Sequence, residues 1–156
     1  MSDHGLYIED LEEGMSATFG KTITDADILM FAGVSGDTNP VHLNEEFAGG
    51  TAFRGRIAHG MLTASMISTV IGTKLPGPGC IYISQNLKFL APVRAGDTVR
   101  AVVTIKSVNH ERRRVVMETV CMVGENKVLD GEAQIMVSRR PVEQAVEPQK
   151  EAVIGG

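Results

Sequence analysis

The sequence predicts an α+β fold in which a curved antiparallel sheet of about five strands wraps a long central apolar helix. Three observations lead there. Residues 60–71 carry no charge and are apolar or small on every side, the pattern of a helix buried all round. Beyond residue 80 the apolar period falls from 3.6 to 2, the spacing of strands with one buried face. Short turn-forming clusters separate the alternating runs, so neighbouring strands pair antiparallel.

The elements follow in chain order. Residues 1–14, with His4, read as a polar, solvated lead-in, and Met15 to Thr22 as a short strand. Thr24-Asp25-Ala26-Asp27 has the form of a helix start, with Thr24 as N-cap and an acidic residue three positions on. Ile28, Phe31 and Ala32 give that helix its apolar face, and Ser35-Gly36 ends it, because glycine adopts the positive φ of a helix terminus at little cost. From Gly36 to Gly60 the pattern breaks into polar turns, with a short helix over residues 44–48 capped by Asn44. A long irregular segment inside a small domain is usually functional.

The apolar helix over residues 60–71 comes next, closed by Gly72 and a turn at Pro76-Gly77-Pro78-Gly79. Alternation then marks strands at 81–89, 99–106 and 130–137, and Val115 to Val123 is a more continuous apolar run suited to an inner strand. Their turns are Ala95-Gly96-Asp97, Asn109-His110-Glu111 and Gly124-Glu125-Asn126. After Ser138 the composition shifts to Pro, Glu, Gln and Lys. This sets the expected domain at residues 1–140 and a disordered tail at 141–156.

A chain of 156 residues is long enough for one core without disulfides or a structural metal. Lys plus Arg number 15 and Asp plus Glu 19, a formal charge of −4 that argues against a nucleic-acid partner. Cys80 and Cys121 lie far apart in apolar surroundings without a C-x-x-C spacing, and read as buried reduced thiols. The first residues lack a basic stretch followed by an apolar one, and no apolar run is long enough to span a bilayer. The expected setting is therefore soluble and cytoplasmic. An open sheet also leaves two edges, for which pairing with a second copy is a natural remedy.

The chemistry concentrates in Ser35-Gly36-Asp37-Thr38-Asn39-Pro40-Val41-His42. A carboxylate and an imidazole stand five residues apart in a turn-rich loop that lets them converge. Such a pair suits proton transfer, since histidine titrates nearest neutrality and a carboxylate can orient a water. On spacing alone, two turn residues, a surface pair and part of a metal site remain equally open.

The longer stretch from Phe31 to His42, followed by Ala48, resembles the hydratase signature of the MaoC-like family, with every position filled. Ala58-His59-Gly60-Met61-Leu62 resembles that family's second hallmark, at the start of its central helix. The strand at 81–89 followed by Pro92-Val93 and Gly96-Asp97 matches in kind, so the resemblance covers about residues 8–138. It implies a hot-dog fold and an (R)-specific enoyl-CoA hydratase, a hydro-lyase that adds water reversibly to a trans-2-enoyl-CoA such as crotonyl-CoA. It also implies a place in fatty-acid or polyhydroxyalkanoate metabolism. The thioester is the substrate, so no cofactor and no metal are expected, and the expected assembly is a homodimer or a multiple of dimers.

The same resemblance gives Asp37 and His42 one shared water, and Gly60 the backbone N–H that meets the thioester oxygen, where unpaired helix N–H groups favour an anion. Asn39, Ser65 and Met61 are the expected substrate contacts. His59 reads as an N-terminal packing or capping residue of the helix. His110 and the Arg112-Arg113-Arg114 run read as a solvated hairpin end. Three rival functions are an acyl-CoA thioesterase on the same fold, a non-catalytic acyl-CoA-binding protein, and a metal hydrolase. The complete Asp-to-His motif disfavours the first two, and the lack of a third ligand at a usual spacing disfavours the last.

Overall fold

Thr24 turns the chain from strand to helix: its hydroxyl accepts from the Asp27 N–H at 3.2 Å while the Asp27 carboxylate accepts from the Thr24 N–H at 2.8 Å. These bonds, and the ammonium of Lys21 beside it, hold the Asp27 carboxyl below its ordinary pKa. Helix α1 therefore runs Asp25–Ser35 and ends at Gly36, whose φ of 77° is the left-handed cap expected from sequence. Ahead of it lies strand β1, Ser16–Thr22. The computed structural model describes residues 4–142. Apart from Pro141 and Val142, the tail expected at 141–156 lies outside the described residues.

Two short helices follow, α2 (Pro40–Leu43) and α3 (Glu45–Gly49), then α4 (Gly60–Thr73). Asn44 caps α3 as expected, accepting from the Phe47 N–H at 2.9 Å. Helix α2 departs from the expected loop. Pro40 sits at its first position, where a missing N–H costs nothing, and the Asn39 side chain accepts from the Val41 N–H at 3.1 Å. Helix α4 runs two residues past the expected end at residue 71, and Gly72 lies inside it.

The remaining strands are β2 (Ile81–Phe89), β3 (Thr98–Asn109), β4 (Arg114–Val123) and β5 (Asn126–Met136). They form one five-stranded antiparallel sheet in the order β1-β3-β4-β5-β2, with β1 and β2 at its edges. The hairpins β3–β4 and β4–β5 are local; β1 and β2 reach their partners from distant sequence.

The core forms where α4 lies against the sheet. Thr63, Met66, Ile67, Val70 and Ile71 are buried at spacings of three and four, one helical face. Met66, Ile67, Val70 and Ile71 pack in one cluster with Val99, Ala101, Val103 and Ile105 of β3 and Val115, Met117 and Cys121 of β4. Each of the Val, Ile and Met side chains contributes about 1.5–3 kcal/mol by leaving water. Burial pushes the Cys121 thiol up to about 12, which keeps it protonated.

Three expectations need correction. Helix α4 is not buried all round: Met61, Ser65, Ser68 and Gly72 are exposed on its outer side, because one curved sheet covers only one face. Met61, expected in the core, is 56% exposed, since it stands in the first turn of the helix beyond the sheet's cover. Strand β2 keeps its alternation but buries neither face, because it occupies an edge; Ile81, Ile83 and Phe89 are exposed.

The lead-in also is not merely polar and solvated. Ile8 and Leu11 are buried in the core, the Ile8 N–H donates to the Ser138 carbonyl at 2.9 Å, and His4 stacks on Tyr7 at 4.3 Å. His110 and the three arginines do stand exposed at the β3–β4 turn.

Candidate active site

Asp37 sits in the loop after α1, where Gly36 has reversed the chain. The Ser35 hydroxyl accepts from the Asp37 N–H at 3.1 Å, and the Asp37 carboxylate accepts from the Asn39 N–H at 3.2 Å. The carboxylate is thus fixed by its own turn while remaining exposed. Asn39 shapes the turn from the other side, its amide oxygen taken by the Val41 N–H.

His42 lies on α2 and is 8% exposed. Its Nδ1 is 2.9 Å from the Ile57 carbonyl. A carbonyl only accepts, so Nδ1 carries the hydrogen and Nε2 is the ring nitrogen left for other partners. Arg56 steadies the same helix: its Nε donates to the His42 carbonyl at 2.8 Å while its guanidinium meets Asp25 at 3.1 Å.

His59 is the residue whose part the sequence understated. It stands at the N-cap of α4, yet its side chain makes no capping bond. Instead Nε2 lies 2.9 Å from the Asp37 carbonyl, and the ring packs on that of His42 with centroids 3.8 Å apart at 30°. Motif reading could find His59 beside Gly60; it could not find the carbonyl it reaches, 22 positions away.

One carboxylate oxygen of Asp37 and one ring nitrogen from each of His42 and His59 lie within 4.8 Å of one another. A single water spans such a gap, since each of its hydrogen bonds is about 2.8 Å long. The same three residues have metal-ligand chemistry, and His59 supplies the third group that the sequence spacing did not reveal. The His59 ring nitrogen Nε2 is already 2.9 Å from the Asp37 carbonyl, and the His42 Nδ1 is 2.9 Å from that of Ile57, which leaves one nitrogen on each ring for any further partner.

All three residues line a cavity of about 410 Å³. Its other wall is apolar, from Phe53, Phe89, Leu90 and Val128, and the start of α4 forms a third side through Gly60, Met61 and Thr63. Gly60 is the first residue of α4, so its N–H has no acceptor within the helix. A Cβ there would lie 2.7 Å from the Phe89 ring, which explains the glycine. Ser65 does not line this cavity: it is exposed, and its hydroxyl donates to the Leu62 carbonyl at 2.6 Å. Thr63, which sequence reading passed over, does line it. So do Phe89, the last residue of β2, and Leu90, Ala91, Pro92 and Val93 directly after it, an uninterrupted apolar run.

Residues 9–127 match the MaoC-like domain. The chain is 54% identical over 134 residues to an (R)-specific enoyl-CoA hydratase of Rhodospirillum rubrum, covering 86% of this chain and 93% of that protein. It is 50% identical over 135 residues to a 3-hydroxybutyryl-CoA dehydratase of Methylorubrum extorquens, covering 86% of each. Among solved structures, the R-hydratase of Pseudomonas aeruginosa in its unliganded form superposes with a TM-score of 0.82 at 40% identity, covering 93% of this chain and 95% of that one.

Proposed function

This chain belongs to the MaoC-like domain family, and from that premise we propose that it is an (R)-specific enoyl-CoA hydratase, working reversibly as a 3-hydroxyacyl-CoA dehydratase. The observation that carries the reading is the meeting, in one cavity, of the Asp37 carboxylate, the His42 ring and the first N–H of α4.

The reaction follows from those groups. A water bonded to both Asp37 and the Nε2 lone pair of His42 faces one side of a trans-2-enoyl thioester. Its oxygen forms the bond to C3 as a proton passes to the pair. The C2–C3 π electrons move toward the thioester, whose oxygen gains charge beside the Gly60 N–H. A proton from the pair then forms the C–H bond at C2 and restores the starting state. Both new bonds lie on one face, so addition is syn, and the (R) product of this reading specifies which face of C3 meets the water. The base role belongs to the pair.

Asn39 holds the turn that presents Asp37. Met61 borders the acyl group from the exposed first turn of α4, and Thr63, in place of the expected Ser65, is the helix hydroxyl within the cavity. The substrate is a coenzyme A thioester, and neither cofactor nor metal takes part. Residues 1–140 act as one domain, working in the cytoplasm in fatty-acid or polyhydroxyalkanoate metabolism. Nucleic acid and membrane are not partners; no described helix is long and apolar enough to cross a bilayer.

The working assembly is a homodimer or a multiple of dimers. The outer face of α4 lacks charge, and the edge strand β2 exposes Ile81, Ile83 and Phe89, the kind of surface that a second copy covers. Light scattering at micromolar concentration is expected to give at least twice the chain mass, and a monomer mass would remove this part of the proposal.

Crotonyl-CoA separates the hydratase from its rivals. Incubation should remove the enoyl absorbance without releasing free thiol, at a rate unchanged by a chelator. Thiol release would identify a thioesterase, loss of activity with the chelator a metal enzyme, and no reaction a binding protein.

A further inference from the structure

We infer that His59 is a positioning residue, whose Nε2–H holds the Asp37 main chain at the distance from His42 that the reaction needs. The inference rests on the hydratase reading.

His59 touches both the Asp37 loop and His42. Its Nε2–H donates to the Asp37 carbonyl at 2.9 Å, and its ring lies between Phe31, at 4.9 Å, and His42, at 3.8 Å. It also directly precedes Gly60, the first residue of α4. One side chain thus ties the Asp37 loop, helix α2 and the start of α4 together. The Asp37 loop needs such a tie: Asp37 is exposed, and its other polar contacts come from Ser35 and Asn39, within two residues in its own turn.

The second ring nitrogen shows that packing alone does not account for this histidine. His59 is 1% exposed, and its Nδ1 is buried without a hydrogen-bond partner. A buried polar atom left unpaired costs stability and calls for an explanation. A phenylalanine would fill the space without that cost, and a glutamine would reach the carbonyl without the ring. The Asp37 carbonyl needs a donor, and the tilted contacts with Phe31 and His42 need a flat ring. Histidine supplies both.

Three variants separate these parts in a crotonyl-CoA assay that resolves kcat from KM. His59→Gln keeps an N–H within reach of the Asp37 carbonyl; His59→Phe keeps the ring without the donor; His59→Leu has neither. The expected result is a His59→Gln kcat within about fivefold of wild type. His59→Phe and His59→Leu should lose about 10², the scale of a 1 Å misplacement in a reacting pair. KM should move by less than about threefold in all three, as for an interaction felt in the transition state.

A His59→Phe or His59→Leu enzyme turning over as fast as His59→Gln would overturn the inference. So would His59→Gln falling as far as His59→Phe. Should the two donor-free variants not fold, nitrogen NMR of histidine-labelled wild type still decides: the Nε2–H tautomer of His59 supports the inference, and the Nδ1–H tautomer overturns it. An inactive wild type would instead remove the hydratase reading itself.

Discussion

Asp37→Asn and His42→Gln are each expected to lower kcat by at least roughly 10²–10⁴, the range for general acid–base groups. Both changes keep the approximate shape of the side chain, so the loss reports chemistry. Asparagine still accepts from the Asn39 N–H, and because Asp37 is exposed its replacement should leave the melting temperature almost unchanged. His42 differs, since it lies buried on α2 with Nδ1–H bonded to the Ile57 carbonyl. Losing that bond costs on the order of 1 kcal/mol, a few degrees of melting temperature, without unfolding the protein. On the shared-water reading their effects should not add, and the double variant should be little worse than the poorer single. A single variant that kept more than a tenth of wild-type turnover would mean that no water is shared.

Gly60→Ala is expected to lower kcat/KM by about 10² in a protein that still folds. The added Cβ would lie 2.7 Å from the Phe89 ring. That ring is half-exposed at the end of its strand, so it swings aside and leaves the sheet intact. Its nearest space is the cavity that both residues line, and the substrate loses the room it takes. Phe89→Ala supplies the control. In that background Gly60→Ala should cost less than about threefold, a coupling expected only of side chains in contact. An equal cost in both backgrounds would place the effect on the helix backbone.

What the sequence made legible was local. The capping bonds between Thr24 and Asp27, the left-handed Gly36, the Asn44 cap and the Asp37-to-His42 spacing each lie within a few residues, where backbone geometry decides the outcome. The period-2 runs likewise identified the strands. Where they stand was not legible, because sheet order depends on pairings across the chain. Strand β2 alternates as β3 and β5 do, yet its place at the edge leaves Ile81 and Ile83 exposed. Met61 and Ser65 show the same limit on α4: an uncharged helix reads as buried on all sides, while a single sheet covers one. His59 is the third case, since its partner carbonyl is brought to it only by the folded loop.

The most direct test of the shared water is stereochemical. Hydrating crotonyl-CoA in D2O and assigning the product by NMR and chiral analysis reads both new bonds at once. One water held between Asp37 and His42 predicts deuterium at C2 on the same face as the new hydroxyl, and the (R)-specific reading predicts that the product is (R)-3-hydroxybutyryl-CoA. Anti addition or a mixture at C2 would contradict the shared water, and an (S) alcohol would contradict the (R)-specific reading.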